Sequence, residues 1–323
     1  MKTHFLFLSL LSSLLTTTLS PKSNSDISQL FDTVTLKNSL AVQQILTSKG
    51  FKKTCFTTKD NFKICASFLD QSKTKKIKGT ILYCAGFYPG TKEGMTSFYA
   101  LLENQPYNFL FFDARGHQES DGSLFSYNNL KQYGSSEYQD ILAAIDFLQR
   151  YNSENKITHN IVIHGICSGA FHSLKAIDHL QNTDNPSASS VKGIIFDSGW
   201  LRLTDIVEPT VHAETQSYFK NSYFSWFAKP ISYLIRLFYR CVLKNHHSKV
   251  DNIETCLKNA KCPIFFIHCT NDPYVPIAPI QNLTHELNKH ESWWITHDSH
   301  ATYHLKEQDL YSHKIKKFLS KVL

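Results

Sequence analysis

Gly165-Ile166-Cys167-Ser168-Gly169 is the segment whose residue types and spacing point most directly to chemistry. It follows an apolar run at residues 161–164 and opens a helical pattern containing Leu174 and Ile177, so the order is strand, tight turn, helix. A side chain at the middle of such a turn is pushed above the sheet by a strained backbone. Glycines are needed on either side where neighbouring chains leave no room for a Cβ. Cys167 holds the middle position. The helix that starts there turns its first amides and the positive end of its dipole toward the sulfur. This favours a thiolate, and the Ser168 amide can hold the oxyanion that thiolate attack creates. Ser168 fits less well as nucleophile, because shifting the frame by one puts Ile166 and Ala170 where glycines are demanded. The bland alternative is that Cys167 is one more buried thiol, since the five-residue match alone is only moderately specific.

The surrounding pattern supplies elements able to hold such a turn. Short continuous apolar runs at residues 80–84, 109–112, 161–164, 193–196, 264–268 and 292–296 alternate with helical patterns, as in a mostly parallel sheet covered on both faces. One such helix repeats Tyr138, Ile141, Leu142, Ile145 and Leu148, with Glu137 and Asp140 near its start where the dipole favours negative charge. Right-handed crossovers make this a doubly wound sheet, with ligands expected beyond the carboxyl ends of the strands. Ahead of it, residues 27–49 read as a lead-in helix ended by Gly50. Residues 51–58 and 62–69 read as an antiparallel hairpin at a sheet edge, turning at Lys59, Asp60 and Asn61. That turn sets Cys55 opposite Cys65, close enough to bridge in an oxidising compartment.

Between Trp200 and Cys256 the alternation is interrupted by an aromatic insertion including Tyr218, Phe219, Tyr223, Phe224, Trp226 and Phe227. Within it, Ile231, Leu234, Ile235, Phe238 and Val242 form an apolar stripe, while Arg236, Arg240 and Lys244 recur on another face. Such a helix can lie on a membrane or line an apolar pocket. The simpler expectation is a lid packed on the domain with its basic face solvated.

Several further segments resemble the α/β-hydrolase superfamily, and a cysteine in the elbow resembles its dienelactone hydrolase branch. Asp113-Ala114-Arg115-Gly116-His117, with Ser120 and Gly122, looks like the D-x-R-G-H-x-x-S-x-G segment that follows the fourth strand in many members and is structural there. Cys84-Ala85-Gly86-Phe87 stands where the family carries His-Gly-Phe, so the resemblance implies that the Phe87 amide is the second oxyanion donor beside Ser168; Cys84 departs from the usual His. Cys269-Thr270-Asn271-Asp272-Pro273-Tyr274-Val275-Pro276 looks like the family's turn carrying the triad acid, which implies Asp272. The alternatives are an Asp that merely caps a turn, and Asp197 as acid, since some members place it on that strand. The loop 297–301 supplies His300 as base, with His297 at a strand end and His304 at a helix start as structural or exposed residues, among sixteen histidines in all. The order Cys167, Asp272, His300 is the family's order. The implied fold is the α/β-hydrolase fold, a mostly parallel doubly wound sheet with an antiparallel N-terminal hairpin and a helical cap insertion. The resemblance covers residue 51 to the C-terminus, as a hydrolase domain 51–323 with the cap at 200–256.

The expected chemistry is cleavage of ester, thioester or lactone bonds through an acyl-enzyme on Cys167, with water activated by His300. The aromatic cap suggests an apolar acyl substrate. Readings from other classes are a non-catalytic lipid or small-ligand binding protein on the same fold, and an acyltransferase. No cofactor is required, and no H-E-x-x-H or paired-ligand spacing suggests a metal. At 323 residues and 42% apolar content the chain can bury a large single core. Its formal charge of +7 is spread without an arginine-rich arm, which argues against nucleic acid and leaves membrane-surface association open. Residues 1–20 read as a signal peptide or N-terminal anchor: Lys2, an apolar run at 5–15, then a small-residue tail. The expectation is export to a periplasmic or extracellular space, with residues 21–50 as linker and lead-in helix. Pro21 directly after the best cut site counts against cleavage there. Of eight cysteines, most are expected to be buried thiols.

Overall fold

The six apolar runs form six parallel strands, and the hairpin adds two more to one sheet ordered β1-β2-β4-β3-β5-β6-β7-β8. The structure is a computed structural model that describes residues 39–87, 90–123, 131–219, 226, 228–250, 252–297 and 299–323. Residues 1–38, which hold the expected export segment and most of the lead-in, lie outside the described residues, as do Tyr223, Phe224 and Phe227. The strands are β1 (Lys52–Thr57), β2 (Lys63–Leu69), β3 (Gly79–Cys84), β4 (Tyr107–Phe112), β5 (Ile161–Ile166), β6 (Val191–Asp197), β7 (Ile264–Cys269) and β8 (His290–Ile295). β1 and β2 are antiparallel, β2 joins β4 antiparallel, and all other pairings are parallel.

Strands β3, β4, β5 and β7 are buried along their whole length, which is why they read as unbroken apolar runs. Alternate side chains feed two cores. Leu82, Ile163 and Ile194 meet helices α2 (Tyr138–Asn155) and α3 (Ser168–Asn182) on one face. Ile81, Val162 and Ile195 join Val42 and Leu46 of α1 (Ser39–Ser48) on the other, together with Ile315 and Phe318 of the C-terminal helix Gln308–Val322. Strands β4, β6 and β8 each start two residues before their apolar run. Asn108 is buried there because its Oδ1 accepts the Gln71 amide, so a polar residue is kept within the sheet by a hydrogen bond. Gly50 ends the lead-in helix at φ 90°, and Asn61 turns the hairpin at φ 65°. Cys55 and Cys65 face each other with Cα atoms 4.2 Å apart and are bonded as a disulfide.

Asp140 does more than the dipole argument assigned to it. It is buried, and its carboxylate accepts both the Arg115 backbone N–H (2.9 Å) and the Arg115 Nε–H (2.9 Å), while Glu137 accepts the Gly134 amide. Burial lifts the Asp140 pKa to about 6 against the pull of Arg115.

Between β6 and β7 lie α4 (Leu203–Phe219), α5 (Ala228–Phe238), a π turn (Tyr239–Leu243) and the short helix Lys244–His247. The apolar stripe expected to pack inward is turned differently. Ala228, Ser232 and Tyr239 are buried, whereas Leu234 is 61% and Phe238 39% exposed. The small residues let α4 and α5 approach closely, and the π turn inserts extra chain after Phe238, which takes Val242 out of register with Ile231. Arg240 is not simply solvated: its guanidinium pairs with Glu208 of α4.

Candidate functional site

The strand order places β5 next to β3, with β4 on the far side of β3, so the loops leaving the carboxyl ends of β3 and β5 part at the switch point of the sheet. Cys167 and Phe87 stand on those two loops. Cys167 is the only residue between β5 and α3 and has φ 55° and ψ −116°, a conformation costly for a side chain. Its amide donates to the Asp197 carbonyl at 2.8 Å, which pins the turn to β6. A Cβ at Gly165 would lie 2.6 Å from the Ala170 Cα, and one at Gly169 would lie 2.1 Å from the Cys84 carbonyl oxygen. Both glycines are therefore required by close approach of main chain. The Ser168 side chain is buried near Tyr133, and Cys167 presents its side chain at the turn.

His300 Nδ1–H donates to Asp272 Oδ2 at 2.7 Å, and the imidazole faces the Cys167 side chain. The three side chains thus form one chain of contacts across residues far apart in sequence. Burial opposes charge on the His300 ring, but the neighbouring sulfur and Asp272 overcome it and raise its pKa well above 6.5. Three other free thiols are buried away from any such partner among the described residues, and burial pushes Cys84 and Cys256 up to about 12 and Cys262 up to about 11.

Asp272 also caps its own turn, as the structural alternative proposed. Its Oδ1 accepts the Tyr274 and Val275 amides at 2.8 and 3.0 Å, leaving Oδ2 for the histidine. One oxygen fixes the carboxylate and the other fixes the ring. Asp197 is committed elsewhere, with its carboxylate accepting from the Tyr311 and Ser198 hydroxyls. Its contribution to the site is indirect, since the Ser198 hydroxyl accepts the Ala301 amide at 3.2 Å, next to His300. His304 is buried, with Nε2 2.9 Å from Ser97 Oγ and its ring stacked on Phe98, while His297 Nε2 lies 3.0 Å from Lys306 Nζ. Sequence reasoning passed over His268, which packs beneath the acid with Nε2 3.6 Å from Asp272 Oδ2 and 3.0 Å from the Val275 carbonyl oxygen. Its position on a buried strand gave no separate signal.

The Gly86–Phe87 turn lies directly against the sulfur, because a Cβ on Gly86 would be 3.7 Å from Cys167 Sγ. His117 Nε2 lies 2.9 Å from the Phe87 carbonyl oxygen, so the ring N–H can donate and fix that peptide. Opposite it, the Ser168 amide is the first of α3 and has no acceptor within its own helix. The Asp113–His117 segment braces this side. Lys92 pairs with Asp113 in the interior (2.6 Å), and Arg115 bridges Asp60 and Asp140. A cavity of about 300 Å3 opens beside these two loops and is bordered by Phe87, Ser168, Tyr133, Arg115 and His172. Both ring nitrogens of His172 are buried without a partner among the described residues, and burial pulls its pKa down to about 3, so the ring is neutral.

Among the described residues no cluster of three or more metal-binding side chains occurs, and no helix is long and apolar enough to cross a membrane.

Sheet order, elbow and loop placement define the α/β-hydrolase fold. Neither a family model nor a curated protein matches the sequence. Solved structures do match. The esterase Pf2001 of Pyrococcus furiosus is 20% identical with a TM-score of 0.62, covering 86% of this chain and 93% of that one. Est1E of Butyrivibrio proteoclasticus, solved with ferulic acid bound, is 16% identical with a TM-score of 0.56, covering 83% and 99%. The α/β hydrolase GrgF of Penicillium sp. sh18 is 14% identical with a TM-score of 0.58, covering 84% and 98%.

Proposed function

We propose that the protein is an acyl hydrolase that cleaves ester, thioester or lactone bonds through Cys167, His300 and Asp272. The observation that carries this reading is the Asp272–His300 hydrogen bond, with the imidazole set beside a cysteine held at a strained strand-to-helix turn. Esterases and hydrolases among the similar folds support the reaction class.

In the first step the Cys167 thiolate adds to the acyl carbon, and the carbonyl electron pair moves to an oxyanion held by the amides of Ser168 and Phe87. Collapse of the adduct expels the alcohol or thiol, which takes a proton from the His300 imidazolium. Neutral His300 then removes a proton from water, hydroxide attacks the thioester carbon, and the acid leaves as the thiolate and imidazolium are restored. Asp272 fixes the ring tautomer throughout. The insertion, with α4 beside the site, serves as a cap over an apolar acyl group. The cavity bordered by Tyr133 and His172 receives the more polar part, where the neutral imidazole can hydrogen-bond a hydroxyl or carbonyl.

The test is turnover of p-nitrophenyl esters and acyl thioesters by the purified protein, with mapping of iodoacetamide labelling. Selective labelling of Cys167 that falls in His300→Gln is expected. Ester turnover that survives Cys167→Ala would remove the sulfur from the mechanism. A bound native lipid with no turnover and no labelling would favour the binding-protein reading, and transfer to added alcohols in preference to water would favour acyl transfer.

A further inference from the structure

Six large hydrophobic side chains are exposed among the described residues, and five of them fall in one short stretch: Trp226, Tyr233, Leu234, Leu237 and Phe238. On α5 the last four occur at i, i+1, i+4 and i+5, which places them on one face. Ala228 and Ser232 face inward, so the helix is seated on the protein by its small side and turns its large apolar side out. Singly exposed apolar residues are ordinary, but a contiguous row of this kind marks an interaction surface.

Charge identifies what the row fits. From Thr215 to Val250 the chain contains no Asp or Glu, yet it carries Lys220, Lys229, Arg236, Arg240, Lys244 and Lys249. Lys229, Arg236 and Arg240 follow at helical spacing along one flank of the apolar face, and Lys229, Lys244 and Lys249 are exposed. Among the described residues, Glu208 of the neighbouring helix pairs with Arg240 and also lies within electrostatic reach of Arg236 and Lys244, which leaves an excess of positive charge on this flank. A second copy of the same face would oppose these cations with identical ones, at an electrostatic cost. A negatively charged lipid surface matches both features at once. Its headgroups take the lysines and arginines, whose stems lie along the apolar boundary, while Trp226 and Tyr233 sit at the depth where amphipathic rings are favoured.

We propose that α5, with Trp226, docks the protein on anionic lipid bilayers. The face is connected to the candidate site through α4. α4, which α5 packs on, carries Glu214, whose carboxylate stands near Tyr274, and the Tyr274 ring centre is 5.2 Å from that of His300. Docking therefore brings the site to the membrane without occupying it, and it stands whether or not the site is a hydrolase.

The experiment uses the full chain with vesicles of phosphatidylcholine alone and of phosphatidylcholine mixed equally with phosphatidylglycerol. Sedimentation with the anionic vesicles is expected. The fluorescence that separates wild type from Trp226→Phe should shift blue and be quenched by brominated lipid. Leu234→Asp with Leu237→Asp, and separately Lys229→Glu with Lys244→Glu, should each weaken partitioning at least about tenfold, with ester turnover in solution retained. An absence of sedimentation would overturn the proposal. So would sedimentation in which Trp226 is not quenched, since contact would then be made elsewhere on the chain. A dimer in light scattering that the Leu234→Asp, Leu237→Asp variant turns into monomer would also overturn it and assign the face to self-association.

Discussion

The carboxyl edge of β5, β6 and β7 and the outer side of α5 stand in opposite relations to their surroundings. At the strand ends, the two carboxylates are each fixed by more than one neighbour. Asp272 is held by two amides as well as by His300, and Asp197 by two hydroxyls, one of which also accepts the Ala301 amide. Along α5, large apolar groups are exposed on one side and the buried Ala228 and Ser232 lie on the other. A strained turn such as Cys167 persists only where the surroundings over-determine it. A surface that meets a fluid partner needs composition more than fixed geometry. Substitutions should therefore act steeply at the first region and gently at the second.

The largest expected effect is that of Cys167→Ala, which should lower kcat for p-nitrophenyl butyrate by a factor on the order of 10^4 or more, with the melting temperature little changed. Leu237→Ser measured alongside should stay within about twofold of wild type in that solution assay, because side chains away from such sites contribute little.

Next comes a contrast between two carboxylates. Asp272→Asn should lower kcat by roughly 10^3 to 10^4 by losing the tautomer control of His300. Asp197→Asn should mainly destabilise the fold, by about 1.5–3 kcal/mol in chemical denaturation, as its hydrogen bonds are to a charged group. Equal effects of the two on kcat would erase the distinction drawn between them.

The third prediction concerns pH. The folded-state pKa of His300 is raised above 6.5, so the native protein holds this proton more tightly than the unfolded chain. The stabilisation is fully present below pH 6.5 and is lost as the pH rises through the folded value. A plot of melting temperature against pH should slope downward above 6.5 in wild type, and less so in His300→Gln.

The smallest effects separate the two sides of α5. Leu237→Ser should change stability by no more than about 0.5 kcal/mol, whereas Ser232→Leu, which overfills the contact with α4, should cost about 1–3 kcal/mol. Comparable losses would mean that the outer face is packed after all.

Much of this architecture is written in local pattern. Unbroken apolar runs announce strands buried on both faces, Gly50 and the Asp60-Asn61 turn punctuate the N-terminal elements, and Gly-x-Cys-x-Gly between a strand and a helix announces the elbow. These are legible because backbone sterics and burial act on residues adjacent in sequence. The order of the motifs also singled out Asp272 and His300 before their 2.7 Å contact could be measured.

Other features were decided only when distant segments met. Asp140 reads as a helix-start carboxylate but is the partner of Arg115. His268 reads as one of many histidines but lies 3.6 Å from the Asp272 carboxylate. Asp197 accepts a hydrogen bond from Tyr311, which comes 114 residues later. The rotation of α5 was equally hidden, since its periodicity marks an apolar stripe without saying which side α4 covers. Hydrophobic spacing tells a helix that it has a face. Which neighbour meets that face depends on packing volumes and partners supplied from elsewhere in the chain, and only the tertiary structure contains them.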